Sequence, residues 1–93
     1  MRITELEWDD VNVEHIARHG VNISEVEDIC FEPHLSSRGH NRRYILYGKT
    51  SDGRYLKVVL ERLSAAIFRP ITALDMTTRQ RHNYRMFMKK RGL

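Results

Sequence analysis

Residues 43–50, RYILYGKT, and residues 54–62, RYLKVVLER, flank the turn Ser51-Asp52-Gly53, and a third run, AIFRPITALD, follows at residues 66–75. Valine, isoleucine, leucine and tyrosine recur through the first two runs at the density of strands. An Asp-Gly pair between such runs is the strongest short-range mark of a hairpin. The stretch therefore reads as three antiparallel strands around which the rest of the chain is organised. Pro70 has no N–H to give to a ladder, so the third strand either lies at an edge or is bulged there. These strands also carry Arg43, Tyr47, Lys49, Arg54, Lys57, Arg62, Arg69 and Asp75, many polar groups for segments that otherwise read as core.

Outward from the hairpin, residues 34–42, HLSSRGHNR, show no apolar period and read as an exposed loop. A helix precedes it, opened by a capping box of Ser24 and Glu27, with Val26, Ile29 and Cys30 as its buried face and Pro33 as its stop. An earlier helix is capped by Asp9 or Asp10, buries Val13, Ile16 and Ala17, and ends at Gly20 in a left-handed cap. Residues 2–8, RITELEW, have the imperfect alternation of an edge strand. Beyond the third run, Asp75 or Thr77 caps a last helix. Met76, Gln80, Tyr84 and Phe87 fall near one of its faces, and Arg81, Arg85 and Lys89 recur on another. The order β-α-α-β-β-β-α describes one α+β domain over residues 1–93, a small antiparallel sheet with helices packed on one face.

Composition sets bounds on partners and location. A chain of 93 residues with 41% hydrophobic and 30% charged residues is an ordinary globular domain that buries roughly two-thirds of its unfolded surface. No apolar run approaches the roughly 20 residues of a spanning helix, and the acidic, polar start does not read as a secretory signal. A cytoplasmic location without a membrane partner is the expectation. The single cysteine, Cys30, agrees with a reducing compartment and reads as a small buried apolar side chain. The net charge of +4 conceals an asymmetry. Residues 1–33 hold two cations and nine anions, whereas residues 34–93 hold fourteen cations and three anions. A polyanion or an acidic protein is the natural partner of the second part, and nucleic acid is the commonest such case.

Motifs for nucleotide, zinc and acyl-transfer chemistry are absent: there is no glycine-rich phosphate loop, cysteine pair, HExxH or GxSxG. His15 and His19 stand four apart on a helix, a spacing that could offer two imidazoles to one metal, but nothing in the sequence fixes a third ligand. His34, His40 and His82 read as solvated. No metal or other cofactor is expected. What remains is arginine chemistry. RNA carries its own nucleophile, the 2′-hydroxyl, so a nuclease can act by positioning the backbone and stabilising charge on the phosphate. Guanidinium groups stay charged and match phosphate oxygens with paired donors. Arg43 and Arg69, on rigid strands, are the candidates for this role, and Tyr47 is placed to stack or hydrogen-bond a base.

The chain resembles the BrnT-type toxins, small ribonucleases of bacterial type II toxin–antitoxin modules with a RelE-like fold. The likeness lies in Trp8-Asp9, Arg18-His19-Gly20-Val21, Ser24 through Glu32-Pro33, Arg43 through Gly48, Phe68-Arg69-Pro70-Ile71-Thr72-Ala73, Asp75-Met76-Thr77 and Tyr84. It implies metal-independent RNA cleavage, an RNA substrate and a cognate antitoxin, with operator DNA reached through that antitoxin. It also places Arg43 and Arg69 in the active site, with His19 as a contributor. The chain departs from the pattern at Arg42, where an acidic residue is usual, and at Leu74, where a second arginine is usual. The expected catalytic set is Arg43, Arg69, His19 and Glu61, and the expected RNA-binding set is Tyr47, Lys49, Arg54 and Arg42. Arg62 is a further possible substitute for the missing groups. The alternative is the same fold as a weakened or inactive toxin-like module that binds an antitoxin or nucleic acid without cutting. A further possibility is that the basic face of the last helix meets DNA.

Overall fold

In the computed structural model, which describes residues 2–92, the chain forms β1 (Glu5–Leu6), α1 (Asp10–Ala17), α2 (Ile23–Phe31), β2 (Leu35–Arg38), β3 (Arg43–Lys49), β4 (Tyr55–Arg62), β5 (Ile67–Asp75) and α3 (Thr78–Lys90). The hairpin forms as its sequence predicts. Gly53, at φ +89°, closes the turn by donating to the Thr50 carbonyl, and Thr50 donates back to Arg54 at 2.8 Å. The β3–β4 ladder runs from Arg43 opposite Glu61 to Lys49 opposite Tyr55. Asp28 of α2 accepts from both the amide and the hydroxyl of Ser51, which ties the turn to the helix layer.

Three expectations about the sheet are corrected. The sheet is mixed, with strand order β1-β5-β4-β3-β2, because β1 runs parallel to β5. The two helices between them, with three strands, supply the long crossover that parallel pairing requires. The stretch read as a loop contains β2, paired antiparallel with β3 from Leu35 opposite Tyr47 to Arg38 opposite Tyr44. An edge strand with only Leu35 half-buried has no apolar period to reveal it. The helices occupy both faces. Gly48 backs onto α2, where a Cβ would come within 3.1 Å of Ile29 and force that side chain to shift. Tyr47 points the opposite way, towards Gln80 and Asn83 of α3.

Helix starts follow local chemistry. Asp9 caps α1, and the Asp9 and Asn12 side chains each accept the other's backbone N–H. The box that opens α2 is Asn22 with Glu25, two residues before the expected Ser24 and Glu27. The chain enters the helix at Ile23, and Val26, Ile29 and Cys30 still form its buried face. Thr77, with Gln80, caps α3. On α1 the buried residues are Asn12 and Ile16; Ala17 is exposed. The core unites Ile16, Val26 and Ile29 with Leu46, Leu56, Val58, Leu60 and Phe68 of the sheet, all fully buried. Each such side chain contributes about 2 kcal/mol by leaving water. Burial pushes the Cys30 thiol up to about 12, assisted by the Glu27 charge, so it packs as an apolar group.

Pro70 sits at a bulge, where the β4–β5 register passes from Val59 opposite Thr72 to Leu60 opposite Pro70. The extra residue, Ile71, reverses the alternation of β5, so Pro70 and Ala73 both face the core while Arg69, Thr72 and Leu74 face the other side. The Asn12 amide donates to the Pro70 carbonyl at 3.0 Å and to the Glu7 carbonyl at 3.1 Å. Asn12→Ala leaves these carbonyls without a donor beside a new void. It is expected to lower stability by about 3 kcal/mol and the thermal midpoint by about 15 °C, followed by far-ultraviolet circular dichroism. Asn12→Asp, with the same shape and no amide donor, should fall comparably.

Candidate nucleic-acid interface

The side chains on the α3 side of the sheet come from alternate residues of each strand. Register sets Arg43, Glu61 and Arg69 side by side on β3, β4 and β5. With strands about 4.8 Å apart, the two arginine backbones stand about 10 Å apart with the carboxylate between them. The next row is Ile45, Val59 and Thr72, and the one after is Tyr47, Lys57 and Leu74. α3 packs on β2, β3 and Tyr55 at the start of β4, and Ile45, Val59, Lys57 and Leu74 remain half-buried beyond it. Aliphatic side chains edged by guanidinium groups offer stacking and charge together.

The three members of the arginine row differ in their ties. Arg69 donates from Nε and Nη2 to one oxygen of Asp9, at 3.1 and 2.8 Å. Arg43 is exposed, and among the described residues neither it nor Glu61 forms an ion pair within 4 Å. The Asn12 backbone N–H, and after it Arg69, hold the Asp9 carboxyl below its ordinary 3.8. Tyr47 lies four residues along β3 from Arg43, about 13 Å away, half-buried beside Leu35, Gln80 and Asn83.

Other candidates lie elsewhere. Arg54 is fully engaged: Nε donates to Asp75 at 2.9 Å, Nη1 to the Gly20 carbonyl at 2.6 Å and to Glu25 at 3.3 Å, and Nη2 to the His19 carbonyl and Asp75, both at 3.3 Å. No donor of this fork is left for a phosphate, so its role is to lock the α1–α2 turn to the sheet. His19 belongs to that locked turn at the Arg54 end of β4, whereas Glu61 stands at the other end of the strand. The structure thus does not bring His19 to Arg43 and Arg69. Its ring lies 5.6 Å from that of His15, and among the described residues no group of three or more metal-ligating side chains assembles.

Lys49 stands 5.8 Å over the Tyr55 ring in a groove of about 370 Å³ shared with Tyr84, Arg85 and Lys89. Arg85 donates to the Tyr55 hydroxyl at 3.3 Å and holds its pKa below the ordinary 10. The three basic residues expected on one exposed face of α3 are therefore unlike one another: Arg81 is half-buried, Arg85 is stacked on Tyr55, and Lys89 is exposed. Arg42 lies at the same end of the sheet as Arg43 but opens onto the face that carries α1 and α2, beside Arg38 and Arg62.

No family model matches the chain, and no curated protein matches it. No helix among the described residues is long and apolar enough to cross a membrane. Two residues outside the expected catalytic and RNA-binding sets belong to the surface. Lys57, opposite Leu74, supplies a cation in the row where the family resemblance leads one to expect a second arginine. Asp9, read only as a helix cap, is also the partner of Arg69.

Arg54→Gln should lower stability by about 2 kcal/mol in urea unfolding while leaving RNA affinity unchanged, because no donor of Arg54 faces the open surface. A pH effect follows as well. Asp9, Asp28 and Asp75 all have carboxyls held below their ordinary value, by the Asn12 N–H, the Ser51 N–H and the Arg54 side chain respectively. Groups with a depressed native pKa stabilise fully above the unfolded value, near pH 4, and that contribution is lost as pH falls through the native value. The urea midpoint should be level above about pH 5 and decline below about pH 4, and Asp75→Asn should make the decline shallower.

Proposed function

We propose that the chain is a metal-independent endoribonuclease of the toxin type, acting on single-stranded RNA across the open face of the sheet and held in check by a cognate antitoxin. The observation that carries the reading is the row Arg43, Glu61 and Arg69, placed on three adjacent strands by register rather than by flexible loops. In this reading the guanidinium groups of Arg43 and Arg69 take the non-bridging oxygens of the scissile phosphate. Glu61, between them, accepts the proton of the 2′-hydroxyl as that oxygen attacks phosphorus. The bond from phosphorus to the 5′-oxygen breaks, and water returns a proton to the leaving oxygen. The products are a 2′,3′-cyclic phosphate and a 5′-hydroxyl. Tyr47 and the aliphatic row receive the neighbouring bases, and Lys57 meets a flanking phosphate.

A second reading, the same surface binding RNA without cutting it, is favoured by one contact. Arg69 already spends two donors on Asp9, and a phosphate must compete with that carboxylate. One experiment separates the two. Mixed cellular RNA is incubated with the purified chain in excess chelator beside identically prepared Arg43→Ala and Glu61→Gln variants, which control for contaminating nuclease. The expected result is discrete fragments ending in cyclic phosphate, with each variant slower by on the order of a hundredfold to a thousandfold. RNA that is bound but intact would establish the second reading, and cleavage equal in all three proteins would sink the first. Asp9→Asn should raise RNA affinity by releasing Arg69, as measured by anisotropy of a labelled oligonucleotide.

A further inference from the structure

The face of the sheet that carries α1 and α2 is left bare at one end, and there Arg38, Arg42 and Arg62 meet around Tyr44 and the 63–65 turn in a cleft of about 310 Å³. No carboxylate lines it, and Glu61 points to the opposite face. Guanidinium groups gathered without an anion repel one another, so the cleft favours a negatively charged occupant. Arg62 is fixed in place: Nε donates to the Ser64 carbonyl at 3.2 Å, Nη2 to the Ala65 carbonyl at 2.8 Å and Nη1 to the Tyr44 hydroxyl at 3.5 Å. That leaves two of its five N–H groups for a ligand. Arg38 lies 5.9 Å from the Tyr44 ring centre, and neither Arg38 nor Arg42 has an ion-pair partner among the described residues.

Backbone strain is the independent sign of use. Asn41 and Arg42 are consecutive left-handed residues, at φ 54° and 63°. Asparagine tolerates that conformation, whereas arginine is strained in it and glycine would be relaxed. The turn is nevertheless held by bonds from Arg62 N to Arg42 O at 2.9 Å, Arg43 N to His40 O at 3.0 Å and Gly39 N to Arg43 O at 2.8 Å. A position that calls for glycine instead carries a long cation at the mouth of a cationic cleft.

We propose that this cleft is a phosphate-binding site that takes a backbone phosphate of a single-stranded nucleic acid. Arg42 and Arg43 are chain neighbours on opposite faces, so a strand held by Arg43 reaches the cleft by passing round the end of the sheet. Only that course rests on the reading of the open face; the cleft's charge and geometry do not. A free phosphate presents the same chemistry, and the test separates the sources.

The full chain and its Arg38→Gln and Arg42→Gly variants are titrated with labelled single-stranded DNA, which lacks the 2′-hydroxyl and so reports binding without cleavage, at several salt concentrations. Each variant should bind about tenfold more weakly, the equivalent of one charge-assisted hydrogen bond. The slope of log affinity against log salt should become shallower by about 0.7. Arg42→Gly should at the same time raise the thermal midpoint, because it relaxes the turn, so weaker binding cannot be put down to misfolding. Unchanged affinity and slope in both variants would overturn the site. Protection of the wild type, but not of Arg42→Gly, by inorganic phosphate against thermal unfolding, with oligonucleotide affinity unchanged, would overturn the strand and leave a small phosphate as the ligand. A chain that cuts no RNA yet shows the predicted loss in both variants would sink the open-face nuclease and keep the cleft.

Discussion

The hydrogen bond from the Asn12 amide to the Pro70 carbonyl holds together what the open face needs. Pro70 cannot donate to the ladder, and its carbonyl at the bulge faces the helix layer, where a buried donor from α1 satisfies it. The bulge in turn decides which side of the sheet each later residue of β5 occupies. Were the strand to run through Ile71 with no bulge, Ala73 and Asp75 would share a face with Arg69, and Thr72 and Leu74 would be driven into the core. Asn12 also closes the capping box with Asp9, and Asp9 holds Arg69. One buried amide therefore sets the helix start, the strand irregularity and the direction of an arginine.

The charge asymmetry of the chain has a partly internal meaning. Acidic groups of the first third are fastened to the basic sheet: Asp9 to Arg69, Glu25 to Arg54, and Asp28 to the turn at Ser51. These contacts neutralise two of the cations that the sequence would otherwise assign to a polyanion. Of the cations that remain unpaired, Arg38 and Arg42 stand on one side of the sheet and Arg43 on the other at the end opposite Arg54, while Lys49, Arg85 and Lys89 gather about Tyr55. Composition alone conveys the excess of charge but not this division of labour, because a solvated arginine and a clamped one are the same letter.

What could be read from the chain in advance was whatever is decided locally. The Ser51-Asp52-Gly53 turn, the caps, narrowed to Asp9 or Asp10 and to Asp75 or Thr77, and the choice of edge or bulge at Pro70 all depend on chemistry within a few residues, and to that extent were legible. The strand at Leu35–Arg38 was not, because Ser36 and Ser37 owe their conformation to pairing with Leu46 and Ile45 rather than to their own preference. The side on which α3 packs was likewise hidden, since amphipathic spacing says that a face is buried but not against which surface. Pairing of Arg43 with Glu61 and Arg69 was latent in the strand alternation once register was known. The separation of His19 from them required the topology. His19 and Arg69 stand in motifs of one family resemblance, yet the chain carries them to different ends of the molecule.

The parallel contact of β1 with β5 also fixes an order of events in folding. Glu5 meets Ile67, the Asn12 bond to Pro70 spans 58 residues, and the Asp9 bond to Arg69 spans 60. Closing a loop of that length costs about 4 kcal/mol of chain entropy before any contact offsets it, whereas the β3–β4 hairpin closes over three residues. The meander of β3, β4 and β5 can nucleate locally, whereas docking of β1 and α1 waits on strand β5. Until they dock, Arg69 has no carboxylate and Pro70 no donor.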